Sequence, residues 1–181
     1  MKTFQKIMVA TDIHGSCDVG KKLLSQFESE GAEALVIMGD FYYHGPRNPL
    51  PEGHGPMALC EALNEIADKV IAIRGNCDAH IDEAISNFTF HPTYDVQIGD
   101  KKITFTHGHL FNEKCFPYDT DVLMFGHTHV NRVYNECGKL AINLASASLP
   151  KENCPPTYAI VEDRKISLKT LGGTIIQEIE Y

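Results

Sequence analysis

The chain has 181 residues, of which 24 are acidic and 16 basic, for a net charge of −8, and 43 % are apolar. This length suits a single domain, residues 1–181, with a core of its own. The acidic balance argues against a nucleic-acid polymer gripped on a broad basic face, and no apolar run reaches the roughly 20 residues of a membrane span.

Met1-Lys2-Thr3-Phe4 leads straight into a strand-like run with no leader peptide's apolar region, so a cytoplasmic protein is expected. Six cysteines (Cys17, Cys60, Cys77, Cys115, Cys137 and Cys154) are unevenly spaced, with no C-x-x-C. That pattern fits neither a zinc knuckle nor a dense disulfide framework, and the thiols are expected to be reduced.

In chain order, Lys6 to Ala10 reads as a buried strand that ends at Thr11-Asp12-Ile13-His14-Gly15. A helix follows from about Asp18 to Glu30, with Val19, Leu23, Leu24 and Phe27 as its apolar stripe and Gly31 as its stop. Ala34 to Met38 is a second buried strand, ending at Gly39-Asp40. The loop from Phe41 to Pro56 holds four prolines and three glycines, and its stiffness predicts an ordered pocket wall. A second helix is expected from Met57 to Ala67, then a strand from Lys69 to Ile73 ending at Arg74-Gly75-Asn76-Cys77-Asp78. Strand–helix–strand–helix–strand implies a parallel sheet with right-handed crossovers. Ligands of such sheets bind beyond the strands' carboxyl ends, where Asp12, Asp40 and Asn76 lie.

The second half is richer in strands. Tyr94–Ile98 and Lys102–Thr106 flank a Gly99-Asp100 turn and read as a hairpin, whose second strand runs into His107-Gly108-His109. Val122 to Phe125 runs into Gly126-His127-Thr128-His129, and further strands extend to Ile179. The expected fold is α/β: a two-sheet sandwich flanked by helices, in four layers. If Gly126 turns the chain and Thr128 is extended, His127 and His129 point to one side.

Five strand ends thus offer carboxylate, imidazole and carboxamide groups. Each has a commonplace explanation alone: a helix cap, a turn, a core histidine. Together they make a donor set for manganese, iron, zinc or nickel, larger than one ion needs. Two ions about 3.5–4 Å apart, sharing one carboxylate, would use it.

The set Asp12-x-His14, Gly39-Asp40, Gly75-Asn76-x-Asp78, His107 and Gly126-His127-Thr128-His129 resembles the calcineurin-like metallophosphoesterase superfamily. The segment His44 to Gly53 resembles its bacterial YfcE-type phosphodiesterase branch more narrowly. The resemblance implies two divalent metal ions, with manganese favoured. One would take Asp12, His14, Asp40 and His129. The other would take Asp40, Asn76, His107 and His127. It also implies hydrolysis of a small phosphodiester by a hydroxide shared between the ions.

Asn76 and His109 are candidates to touch phosphate, and Arg47 to clamp it, although a solvated loop cation is an equal reading for Arg47. Cys77 stands where many superfamily members have a histidine thought to protonate the leaving oxygen. A neutral thiol is a poor donor, so better leaving groups should be preferred, unless Cys77 is a small filler. Asn143-Leu144-Ala145-Ser146 replaces the usual Asn-Pro-Gly-Ser, which leaves that turn open. The same ligands suit a phosphomonoesterase or nucleotide pyrophosphatase. A non-catalytic protein-binding scaffold of the retromer-subunit type is a third reading, opposed by His14 and by the His44–Gly53 loop. A homo-oligomer is left open.

Overall fold

The computed structural model describes residues 1–115, 119–136 and 139–181. Cys137, counted above among the reduced thiols, lies outside the described residues. After a short β1 (Lys2–Phe4) the first half alternates as expected: β2 (Lys6–Ala10), α1 (Cys17–Glu30), β3 (Ala34–Ile37), α2 (Pro56–Asn64) and β4 (Val70–Ile73). Ser16 caps α1 by accepting the Val19 N–H, and Gly31 closes it in the left-handed region. Strands β2, β3 and β4 pair in parallel. The residues of β3 and β4 are all buried, as expected where both faces of a parallel sheet are covered.

Then come α3 (His80–Ile85), β5 (Phe90–His91), β6 (Tyr94–Ile98), β7 (Lys101–Phe105) and β8 (Val122–Phe125). The chain finishes with β9 (Arg132–Glu136), β10 (Lys139–Asn143), β11 (Thr157–Glu162), β12 (Lys165–Thr170) and β13 (Ile175–Glu180). One sheet has the order β1-β6-β7-β8-β10-β9 and the other β13-β12-β11-β2-β3-β4-β5. The expected hairpin is β6 with β7. Beyond it, β7, β8 and β10 run parallel, so their carboxyl ends share one edge.

Three short elements were not foreseen. β1 and β5 are too brief for an alternating pattern. α3 has no apolar stripe, and its first turn is held by Asp82, which accepts the Ala79 N–H. α2 stops three residues short of the expected Ala67, and a 3-10 turn covers Ala67–Lys69. At that end the Asn64 amide donates to the Ile85 carbonyl and accepts from the Asn87 N–H, tying α2 to the chain after α3.

The sheets meet face to face over one core. Ile7, Val9, Val36, Ile71 and Ile73 come from one side, and Val96, Ile103, Phe105, Val122, Met124 and Ile142 from the other. A second core lies on the outer face of the seven-stranded sheet. There Met8, Leu35 and Ile37 pack under Leu23 and Phe27 of α1 and Leu59 and Leu63 of α2. The expected α/β two-sheet sandwich is therefore present.

Phe105 is fully buried between the sheets. Phe105→Ala should cost about 3–5 kcal/mol, read as a lower urea midpoint with an unchanged slope. A shift below about 1 kcal/mol would contradict a tightly packed inter-sheet core.

Candidate metal centre

The carboxyl ends of both sheets converge on one edge. Across it the His107 Nδ1–H donates to the Met38 carbonyl at 2.7 Å, and the His127 N–H donates to Asp12 Oδ2 at 2.9 Å. The loops after β2 and β3 are laced together by Asp12 N–H to Gly39 O, His14 N–H to Asp40 O and Gly15 N–H to Phe41 O.

Five of these residues, Asp12, His14, Asp40, His127 and His129, have positive φ, between 52° and 70°. Asp and His bear the left-handed region better than most side chains, yet each such residue still costs on the order of 1 kcal/mol. Thr128 N–H bonds to Gly126 O, so the Gly126–His129 motif is a tight turn rather than an extended run. This corrects the simple alternation argument: both histidines reach one cavity because the backbone turns left-handed at each. Gly126 itself is needed for space, since a Cβ there would run into Thr11 and Asp12.

The imidazole tautomers follow from their partners. His14 Nδ1 lies 2.9 Å from Tyr43 O and His129 Nδ1 lies 2.6 Å from Leu149 O, as His107 Nδ1 faces Met38 O. A carbonyl only accepts, so each Nδ1 carries the proton. In the neutral rings, each Nε2 then presents a lone pair inward. His14 Nε2 faces His129 Nε2 at 3.2 Å, and His107 Nε2 faces Asn76 Oδ1 at 3.0 Å. Asp12 Oδ1 lies 3.3 Å from His129 Nε2 and 3.6 Å from His14 Nε2, but it is buried without a hydrogen bond. Acceptors aimed at acceptors, in a space nearly closed to water, fit a bound cation. Three overlapping donor groups could hold one: Asp12, His14 and His129; His14, Asp40 and Cys77; Asp12, Asp40 and His107.

The ionisation of the protein side chains alone points the same way. Burial would raise the Asp12 carboxyl, yet His107, His129 and His14 hold it well below the usual range. Asp40 is likewise lowered against its burial, by His107. Burial disfavours the His107 imidazolium, but Asp12 and Asp40 overcome it and raise the group to about 9. His127 and His109 are lowered by burial and by the charge on His107. Asp78 is raised by burial to about 6, although it accepts the N–H groups of Asp40, Phe41 and Gly75. Cys77, raised by burial and then by Asp40 to about 12, is a neutral thiol.

Asp12, His14, Asp40, His107 and His129 are thus buried together. Asn76 is exposed but bonded to His107 through Oδ1. His127 is half-buried, its ring 5.1 Å from that of His107, and His109 is exposed, 5.4 Å from the same ring. Above them opens a cavity of about 520 Å³ lined by Asp40, Arg47, Asn76, Cys77, His127 and His129, with part of the proline-rich loop as one wall, as expected.

Sequence reading missed Tyr43 and Lys151, which also line this cavity. It also missed Ser146, whose Oγ donates to Asp12 O at 2.6 Å and accepts the Leu149 N–H at 2.7 Å. The open question at Asn143–Ser146 is answered there: the serine still anchors the Asp12 loop. Only proximity in the fold marks Tyr43 and Lys151, whereas Ser146 stands in the Asn143–Ser146 segment already noted in the sequence.

An α/β sandwich with a donor-rich carboxyl edge is the frame of a known class. A model of the calcineurin-like phosphoesterase superfamily domain matches residues 6–165. The chain belongs to that superfamily. It is 40 % identical over 174 residues to the phosphodiesterase YfcE of Escherichia coli K12, covering 94 % of this chain and 95 % of that protein. It is 33 % identical over 164 residues to the probable metallophosphoesterase YsnB of Bacillus subtilis, covering 86 % and 82 %. The solved structure of YfcE, described as a phosphoesterase from E. coli, superposes with a TM-score of 0.92 at 38 % identity, covering 97 % and 98 %.

A proton on His107 would compete with a cation held by Asp12, Asp40 and His107. Protein stripped by a chelator should therefore release roughly one proton on binding manganese at neutral pH. Its apparent affinity should weaken as pH falls and level off above about 9, where His107 is already neutral. Calorimetry in buffers of different ionisation enthalpy measures the count. Zero protons released would contradict the assignment.

Proposed function

We propose that the protein is a metal-dependent phosphodiesterase acting on a small phosphodiester, built as one domain over residues 1–181. Asp12, His14, Asp40 and His129 would hold one divalent ion, and Asp40, Asn76, His107 and His127 the other. Manganese is the favoured metal, while iron, zinc and nickel suit the same donors. The observation that carries this reading is the split of the Asp40 carboxylate. Its Oδ1 lies 3.5 Å from His107 Nε2 and its Oδ2 lies 3.8 Å from His14 Nε2, as a shared ligand requires. The similarity to a named phosphodiesterase supports the substrate class.

Bound there, divalent ions would supply Lewis acidity toward phosphoryl oxygens and an acidified water near neutral pH. The chain's own groups position and discriminate. The Asn76 amide turns its oxygen to His107 and its N–H toward the Cys77 sulfur, 3.2 Å away. His109, exposed beside His107, offers a neutral imidazole to a phosphate oxygen. Arg47, exposed on the cavity wall, would clamp phosphate through its forked N–H groups. Cys77 stays protonated and donates poorly, so alkoxide leaving groups receive little help and acidic ones are favoured.

No described helix is long and apolar enough to cross a membrane. Cys17, Cys60, Cys77, Cys115 and Cys154 are free thiols, in keeping with a reducing, cytoplasmic setting.

Asp40→Ala and His127→Ala should each lower kcat/KM for manganese-dependent hydrolysis of an aryl phosphodiester by about a thousandfold or more, with far-UV circular dichroism unchanged. Native turnover in either folded variant would contradict the assignment.

A further inference from the structure

Lys151 stands on the cavity wall, beyond the last of the histidine motifs in the chain. Its backbone is anchored there, and its side chain is exposed. Its N–H donates to His129 O at 2.9 Å, and Leu149, two residues before it, accepts from His129 Nδ1. Its carbonyl accepts the Cys154 N–H, closing a turn in which Glu152 and Asn153 both adopt positive φ. The neighbouring carboxylate, Glu152, is taken up by Arg132 at 2.9 Å. Among the described residues the Lys151 ammonium has no carboxylate partner, and neither does the Arg47 guanidinium on the same cavity.

A charge count then discriminates between substrates. It rests on the two-ion phosphodiesterase reading. Two divalent ions would bring four positive charges, and their carboxylate ligands Asp12 and Asp40 would return two. A phosphodiester and the hydroxide that attacks it would answer the other two. Arg47 and Lys151 are then both left over on the cavity wall, in a chain whose overall charge is −8. An exposed cation without a carboxylate partner, on the wall of a cavity, strengthens the binding of anions there.

We infer that Lys151 is a specificity residue, and that the substrate is a phosphodiester with a further anionic group, carboxylate or phosphate, on one of its arms. A cavity of about 520 Å³ has room for such an arm beyond the scissile phosphate.

The test uses two diesters with the same nitrophenyl leaving group and arms ending in carboxylate or carboxamide. Native protein with manganese should favour the carboxylate by about tenfold in kcat/KM, mostly through KM, as one charged hydrogen bond would give. Lys151→Met should bring the ratio close to one, and Lys151→Arg should restore it. No preference in the native protein, or a preference that survives Lys151→Met, overturns the inference. Phosphonate counterparts, with methylene in place of the leaving oxygen, are titrated calorimetrically and should show the same ratio in affinity. Loss of hydrolysis with both diesters would sink the phosphodiesterase reading, while the phosphonate affinities would still decide the role of Lys151.

Discussion

Lone pairs without a matching positive charge are the constraint on which the site depends. Three imidazole Nε2 atoms, two carboxylates and a carboxamide oxygen face one another inside the edge of the sandwich. Each of the three Nδ1 atoms is committed to a backbone carbonyl, so rotating a ring to escape would break a buried hydrogen bond. The polypeptide alone relieves the conflict by favouring a proton on His107, and on His14, each against its burial. A divalent cation would relieve it better, because it accepts several lone pairs at once.

Holding this arrangement has a conformational cost. Left-handed backbone at Asp12, His14, Asp40, His127 and His129 persists only where the surroundings over-determine it. The surroundings are the two packed sheets, whose parallel strands deliver five loops to one edge. They are also the small groups that fasten those loops: Thr11 and the His127 N–H on Asp12 Oδ2, Ser146 on the Asp12 carbonyl, and Asp78 on three amides of the Asp40 and Gly75 loops. Glycine serves the same end. A Cβ at Gly75 would meet Asp40, so that loop can approach only without a side chain.

Much of this is legible in the chain. The alternation of apolar runs and helical stripes sets out β2 to β4 with α1 and α2, and the strand ends identify Asp12, Asp40 and Asn76 as neighbours. The histidine motifs stand out because two imidazoles so close together, at a strand end, are chemically conspicuous. What escapes has a physical cause. α3 and β5 are too short for a period to register. The bend at Gly126–His129 depends on tertiary hydrogen bonds that no local pattern encodes. Ser146 and Lys151 lie in a loop whose composition is ordinary, and their importance comes from contacts with Asp12 and His129 far earlier in the chain.

A pure binding scaffold would need neither buried carboxylates nor imidazoles locked in the tautomer that suits a metal. In the proposed phosphodiesterase, Cys77, a weak acid on the cavity wall, would favour esters whose alcohols leave readily. Anomalous diffraction from crystals grown with manganese tests the central claim most directly. The account predicts two peaks about 3.5–4 Å apart, with the Asp40 carboxylate between them. A single peak, or peaks away from Asp40, would contradict it.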